Sequence, residues 1–227
     1  PQSFFEIENL KFYRFCLNLN ATNLVKNKMI ENIKLEVAQL IDINGILALQ
    51  ELYLVSNLSD KEKEAGFVTT PFTTPQLAEI MAHEGLFIAK DNSKIIAYIF
   101  AGSWSFFSQW PIFNHITAQF HELKFLDFDI TTTHTFQYGP ICIDKEYRGK
   151  GLINFFFEFM RIHMVKKYPL SLTFINKINI PSTKAHTEKL KWTIIADFQF
   201  NNNNYYILAY DMKQPVPPAA NSYEFPE

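Results

Sequence analysis

The apolar positions of the chain change period several times, and each change marks an element. Ile33 to Gln39 alternates as a half-buried strand does, whereas Ile41 to Leu54 carries apolar residues at helical spacing. After a polar stretch, Thr74-Pro75 offers an N-cap with Pro at the first helical position, and the helix through Leu77 to His83 stops at Gly85. Leu86 to Ala89 and Ile95 to Gly102 predict two strands joined by a turn at Asp91-Asn92-Ser93. Ile141-Cys142-Ile143 is a further apolar strand, and a polar turn leads from it into a helix from Leu152. That helix carries Phe155, Phe156, Phe159, Met160, Ile162 and Val165, has Lys166 and Lys167 in its last turn, and stops before Pro169. Leu170 to Ile175 predicts another strand, Asn179 to His186 a helix, and Ile194 to Phe198 with Tyr205 to Asp211 a hairpin closed by Asn201 to Asn204.

Ser103 to Thr135 follows none of these periods. It holds Trp104, Phe106, Phe107, Trp110, Phe113, Phe120, Phe125 and Phe128, and so many aromatic residues argue against a disordered loop. A helix is expected from Pro111 to Leu123. The insertion reads as a wall or lid over a pocket, with docking on the sheet or in a homodimer interface as the competing role.

A chain of 227 residues, 48% of them hydrophobic, can bury one substantial core, so a single domain with extensions is expected. Residues 31–213 form that domain, residues 1–30 an extension whose role the sequence leaves open, and residues 214–227, with three prolines near their start, an extended, flexible tail. A formal charge of −2 gives no polybasic field and disfavours nucleic acid as a partner. Cys16 and Cys142 suggest no disulfide framework, and the six histidines lack paired-ligand spacing, so no metal is expected. No uncharged apolar run reaches about 18 residues, so no membrane span is expected, and cytoplasmic residence is the default expectation.

The chemistry concentrates between Tyr138 and Asn154, where Arg148-Gly149-Lys150-Gly151 lies at a helix start. Unpaired N–H groups and the positive end of the helix dipole favour a phosphate there. A Walker loop would need Ser or Thr after Lys150, where Gly151 stands; a dinucleotide fingerprint would need glycine at Asn154 and an acid ending the next strand, where Asn176 stands. A solvated turn is the bland alternative. The segment resembles the pyrophosphate loop of the GNAT superfamily of acyl-CoA N-acyltransferases, Arg/Gln-x-x-Gly-x-Gly/Ala, at Arg148-x-x-Gly151-x-Ile153, with Ile153 departing at the last position. Asn179, Ser182, Ala185 and His186 are similar to a second motif of that superfamily, whose Leu-Gly-Phe ending is replaced by Leu190-Lys191-Trp192, displaced by one inserted position.

The resemblance implies an α/β (α+β) fold with a mixed, mostly antiparallel central sheet flanked by helices on both faces, here with the aromatic insertion before the central strand. It implies N-acetyl transfer from acetyl-CoA, used as co-substrate, to a primary amine of a small molecule or an amino terminus. The alternative is a non-catalytic acyl-CoA-binding sensor or interaction protein on the same fold. Cofactor contacts would come from the backbone of Ile141, Cys142 and Ile143, from Arg148, Gly149, Lys150, Gly151, Leu152 and Ile153, and from Asn179 and Ser182. The Ile143 N–H would support the oxyanion, His186 would act as general acid, and Asp144 would be the nominal base, with His134 and Tyr138 as alternatives. For Asp144 the competing role is capping its own turn; for His186 it is a satisfied structural histidine.

Overall fold

The computed structural model describes residues 33–217, so the expected extension over residues 1–30 lies outside the described residues. Strand β1 (Ile33–Val37) leads to helix α1 (Ile43–Tyr53), a short helix α2 (Asp60–Lys63) and helix α3 (Thr74–Ala82). The cap of α3 is Thr73, one residue earlier than expected, because its side chain and N–H pair reciprocally with Gln76. Strands β2 (Leu86–Asp91) and β3 (Lys94–Gly102) form a hairpin. The insertion contributes α4 (Trp104–Phe107), α5 (Pro111–Thr117) and a two-residue ladder of β4 (Lys124–Phe125) with β5 (Phe128–Asp129). Then come β6 (Thr135–Ile143), α6 (Leu152–Met164), β7 (Leu170–Asn176), α7 (Ile180–Lys184), β8 (Thr193–Phe200) and β9 (Asn203–Asp211).

Among the described residues, seven strands make one sheet in the order β1-β2-β3-β6-β7-β9-β8, and every neighbouring pair is antiparallel except β6 with β7. β2 and β3 are buried over most of their length because both faces are covered. One face packs on α1, α3 and the insertion through Ile46, Leu49, Leu77, Ile80, Phe72 and Phe100. The other packs on α6 through Phe156, Phe157 and Met160, with Leu190 and Trp192 completing it.

The insertion is core rather than cover. Phe107 is fully buried, stacks on Phe113 at 4.7 Å and meets Phe72 edge-on at 6.5 Å. Trp110, half-buried, lies 5.1 Å from the Phe72 ring. The expected helix to Leu123 ends at Thr117 because the following bonds tighten to i→i+3, from Gln119 to Ile116 and from Leu123 to Phe120. This turn brings Phe120 edge-on to Trp104 at 4.9 Å, while the Trp104 indole donates to Thr135 at the start of β6.

Two sequence irregularities have structural counterparts. The residue inserted before Trp192 is absorbed by a wide helical turn, Ala185–Lys189, in which the Leu190 N–H donates five residues back to Ala185. Lys191, in the position of the superfamily glycine, still adopts φ +65. The tail expectation needs correcting at its near end, since the Val216 N–H donates to Glu158 and Asn154 donates to the Pro217 carbonyl, strapping residues 214–217 along α6.

Two outcomes test this packing. Phe107→Ala should cost about 3–5 kcal/mol, the range for a buried phenylalanine; a loss under about 1 kcal/mol in urea titration would show that the insertion is not part of the core. Lys191→Gly should stabilise by about 0.5–1 kcal/mol by relieving a left-handed residue, and a loss of stability would contradict that backbone geometry.

Candidate acyl-CoA site

The site begins where two strands part. β6 and β7 pair in parallel only from Thr135↔Leu170 to Gln137↔Leu172. Beyond that, β6 stays with β3 as far as Ala97↔Ile143, and β7 stays with β9 as far as Asn176↔Tyr205. Opposite β3, the step from Tyr138 to Ile141 takes three residues where Ala101 to Ile99 takes two, so β6 carries one extra residue around Gly139-Pro140. Gly139 takes φ +97 there, and Pro140 brings no N–H to the ladder. The extra residue exchanges faces: Phe136 and Tyr138 belong to the core beneath α6, whereas Cys142 belongs to the opposite one.

This parity decides which backbone groups face the split. The Asp144 N–H donates to Ile96 on β3, and bonding direction alternates along an antiparallel ladder. The backbones of Cys142 and Asp144 therefore point at β3, while those of Ile141 and Ile143 point into the split. Cys142 is thus corrected as a backbone ligand, because the ladder uses its polar groups. Its thiol is buried on the other face, and burial pushes its pKa up to about 12.

The turn after β6 is braced by charge. Asp144, buried, accepts from Lys94 at 2.8 Å, Tyr53 at 3.1 Å and the Glu146 N–H at 3.2 Å. Burial alone would raise its pKa, but these bonds, led by Lys94, hold the carboxyl below the ordinary range. Asp144 is therefore an ionised brace with its oxygens engaged. The Tyr53 hydroxyl also accepts the Lys145 N–H at 2.7 Å, and Tyr147 donates to Asp91 at 2.6 Å.

Gly149 and Gly151 take φ +73 and +85, a conformation that favours glycine. A Cβ at Gly149 would meet nothing within 4 Å among the described residues. Gly151 is the N-cap of α6 and supplies no side-chain bond, leaving the Leu152 and Ile153 N–H groups to a partner from outside the helix. Leu152 buries its side chain, and Lys150 lies 5.9 Å from the Tyr147 ring. An acyl-CoA fits these features: a pyrophosphate at an uncapped helix start and an amide-bearing arm along Ile141 and Ile143.

The remaining candidates sit differently from expectation. Arg148 donates through Nε to the Ile143 carbonyl at 2.7 Å and through a terminal nitrogen to the Ala65 carbonyl at 2.6 Å, and it stacks on Tyr53 at 4.5 Å. Two of its N–H donors are thus committed to protein carbonyls. Asn179 caps α7 by accepting the Ser182 N–H at 3.3 Å and donates to the Phe67 carbonyl at 3.3 Å. His186 is buried against Tyr138 and Trp192, with ring centroids 5.5 and 5.9 Å away. Its Nδ1 lies 2.7 Å from the Ser182 carbonyl, which can only accept, so Nδ1 carries the proton and Nε2 presents a lone pair that has no partner among the described residues. Burial pulls its pKa down to about 4, against a weaker upward pull from Ser182, so His186 is neutral at pH 7 and is no proton donor at Nε2. Tyr138, also buried, is pushed upward by the same cause, and exposed His134 ends the turn before β6. Tyr53, Lys94 and Ala65 to Phe67 had no local signal, since each meets the loop across 50 or more residues.

The His186 environment sets a pH dependence. Between its ordinary value of 6.5 and about 4, the unfolded chain takes up a proton that folded His186 refuses. Stability therefore falls on acidification through this window, by about 1.4 kcal/mol per pH unit for that one proton. Urea titrations at pH 7, 6 and 5 should show that slope reduced in His186→Phe; an equal slope in both proteins would contradict a buried neutral imidazole.

No protein-family model matches the chain, and no curated protein matches it in sequence. Solved structures do resemble it. A GNAT-family acetyltransferase from Streptococcus agalactiae aligns over 86% of this chain and 98% of its own with a TM-score of 0.56 at 12% identity. The polyamine N-acetyltransferase of Drosophila melanogaster, which forms N-acetylagmatine, aligns over 79% and 99% with 0.57 at 10%. The yncA protein of Salmonella typhimurium, solved with its cofactor acetyl-CoA, aligns over 83% and 99% with 0.53 at 14%. With its mostly antiparallel seven-stranded sheet and helices on both faces, the chain has the fold of the GNAT acyl-CoA N-acyltransferases.

Proposed function

We propose that the chain transfers an acetyl group from acetyl-CoA directly to a primary amine of a small molecule or an amino terminus. One observation carries the reading: the parted β6 and β7, with Ile141 and Ile143 facing the gap, end beside an uncapped helix start preceded by two left-handed glycines. The similarity to an enzyme that forms N-acetylagmatine favours a small amine as acceptor.

In this reading the N–H groups from Gly149 to Ile153 hold the pyrophosphate, each charge-assisted bond contributing about 1.5–3 kcal/mol. The Ile141 backbone holds the pantetheine arm, and the Ile143 N–H receives the thioester oxygen as it becomes an oxyanion. The neutral amine attacks the carbonyl carbon, the C–N bond forms, the C–S bond breaks, and the amine proton passes to water. A thiol with a pKa of about 8.5 leaves without a strong acid, which suits a site where His186 and Asp144 are both held fixed. The buried, protonated Cys142 is unsuited to carrying the acyl group, and this favours direct transfer over a covalent intermediate.

The same immobilised His186 and Asp144 favour, as second reading, an acyl-CoA binder without acceptor chemistry. Thiol release from acetyl-CoA across a panel of amines separates the two: amine-dependent release supports the enzyme, and binding without release supports the sensor.

Gly151→Asp would set a carboxylate and a Cβ against the pyrophosphate. It should weaken CoA binding by about 100-fold, roughly 3 kcal/mol, in a protein that remains folded. Unchanged affinity by calorimetry would contradict the loop assignment.

A further inference from the structure

Arg148 and Asn179, both expected to touch the cofactor, instead grip one short segment from opposite sides. Arg148 follows β6 and donates to the Ala65 carbonyl at 2.6 Å; Asn179 follows β7 and donates to the Phe67 carbonyl at 3.3 Å. β6 and β7 run parallel and part toward their C-terminal ends, so the two side chains stand on the two lips of the opening. Gly66, between the two gripped carbonyls, takes φ +97, and a Cβ added there would lie 3.6 Å from the Asn179 side-chain oxygen and 4.0 Å from a terminal nitrogen of Arg148. The segment is anchored beyond the grip, where the Val68 N–H donates to Tyr53 and the Val55 N–H to Val68. Tyr53 also stacks on Arg148 and, through Asp144, is tied to the turn after β6.

We infer that Ala65 to Phe67 is a strap across the open end of the β6/β7 split, and that Arg148 and Asn179 are positioning residues whose grip gates the passage of acyl-CoA into and out of it. This gating rests on the acetyltransferase reading; the grip itself does not. A fastened strap obstructs admission and release alike, so loosening it speeds both and leaves equilibrium affinity nearly unchanged. A residue that binds phosphate behaves otherwise, because its loss weakens affinity. Gly66 gives the strap its hinge, since only glycine takes that φ without strain.

Asn179→Ser separates the roles. Serine still caps α7, brings no charge, and is too short to donate to Phe67. In the free protein, hydrogen exchange at residues 64–68 should rise about tenfold, as for the loss of one net hydrogen bond, while exchange in α6 and β3 stays as before. In stopped-flow measurements with CoA, the association and dissociation rates should both rise by a similar factor, with less than a twofold change in Kd. Arg148→Met, which keeps a stem over Tyr53 but no donors, should repeat the pattern. Unchanged exchange at residues 64–68 in both variants would overturn the strap. Faster exchange with unaltered rates would overturn the gating, and weakened CoA affinity in Arg148→Met alone would return Arg148 to the cofactor. If the parent protein binds no CoA, the acetyltransferase reading fails and the gate with it, while the exchange measurement still decides the grip.

Discussion

The structure depends on a parallel strand pair that holds for three residues and then separates. β6 stays with β3 from Gln137 to Ile143 and β7 stays with β9 along its full length, so the sheet stays continuous while its centre opens. Backbone groups exposed by such a parting must find partners, because an unpaired buried N–H or C=O costs about as much as a lost hydrogen bond. Two partners are internal: Gln137 donates to the Tyr138 carbonyl and Arg148 to the Ile143 carbonyl. The Ile141 backbone and the Ile143 N–H are left facing the gap. The same geometry places the start of α6 beside the gap, where its dipole favours an anion.

Charge braces this opening without supplying obvious chemistry. Asp144 is ionised but spent on Lys94, Tyr53 and its own turn, and His186 is neutral because the core around it excludes water. Breaking such a buried set by removing one partner costs more than the set contributes as a whole, since the remaining group is left unpaired. Both residues look reactive by type, and the contacts they make are structural ones. Rate enhancement would then rest on positioning and on the Ile143 N–H, which suits a reaction whose leaving group is already competent.

Most of the fold was legible because apolar periodicity and punctuation agreed: Gly85, Asp91-Asn92-Ser93 and Pro169 each mark a boundary that the structure respects. The loop from Gly149 to Gly151 was legible because two glycines and two cations stand together at a helix start. The exchange of faces at Gly139-Pro140 was not, because one extra residue leaves no trace in alternation until the partner strand is known. Nor could side-chain destinations be read. Arg148 looked like a phosphate ligand from its position in a motif, yet its partners come from Ala65 and Tyr53, far away in sequence. The inserted residue before Trp192 looked like a departure from the motif and proved to be one wide turn that keeps Trp192 in the core.

A crystal structure of the protein soaked with CoA tests the central claim most directly. The account predicts the pantetheine arm between β6 and β7, hydrogen-bonded to the Ile141 backbone, with the pyrophosphate on the N–H groups from Gly149 to Ile153 and the sulfur near Ile143. CoA bound elsewhere, or a β6/β7 split filled by the protein's own side chains when CoA is present at saturating concentration, would contradict it.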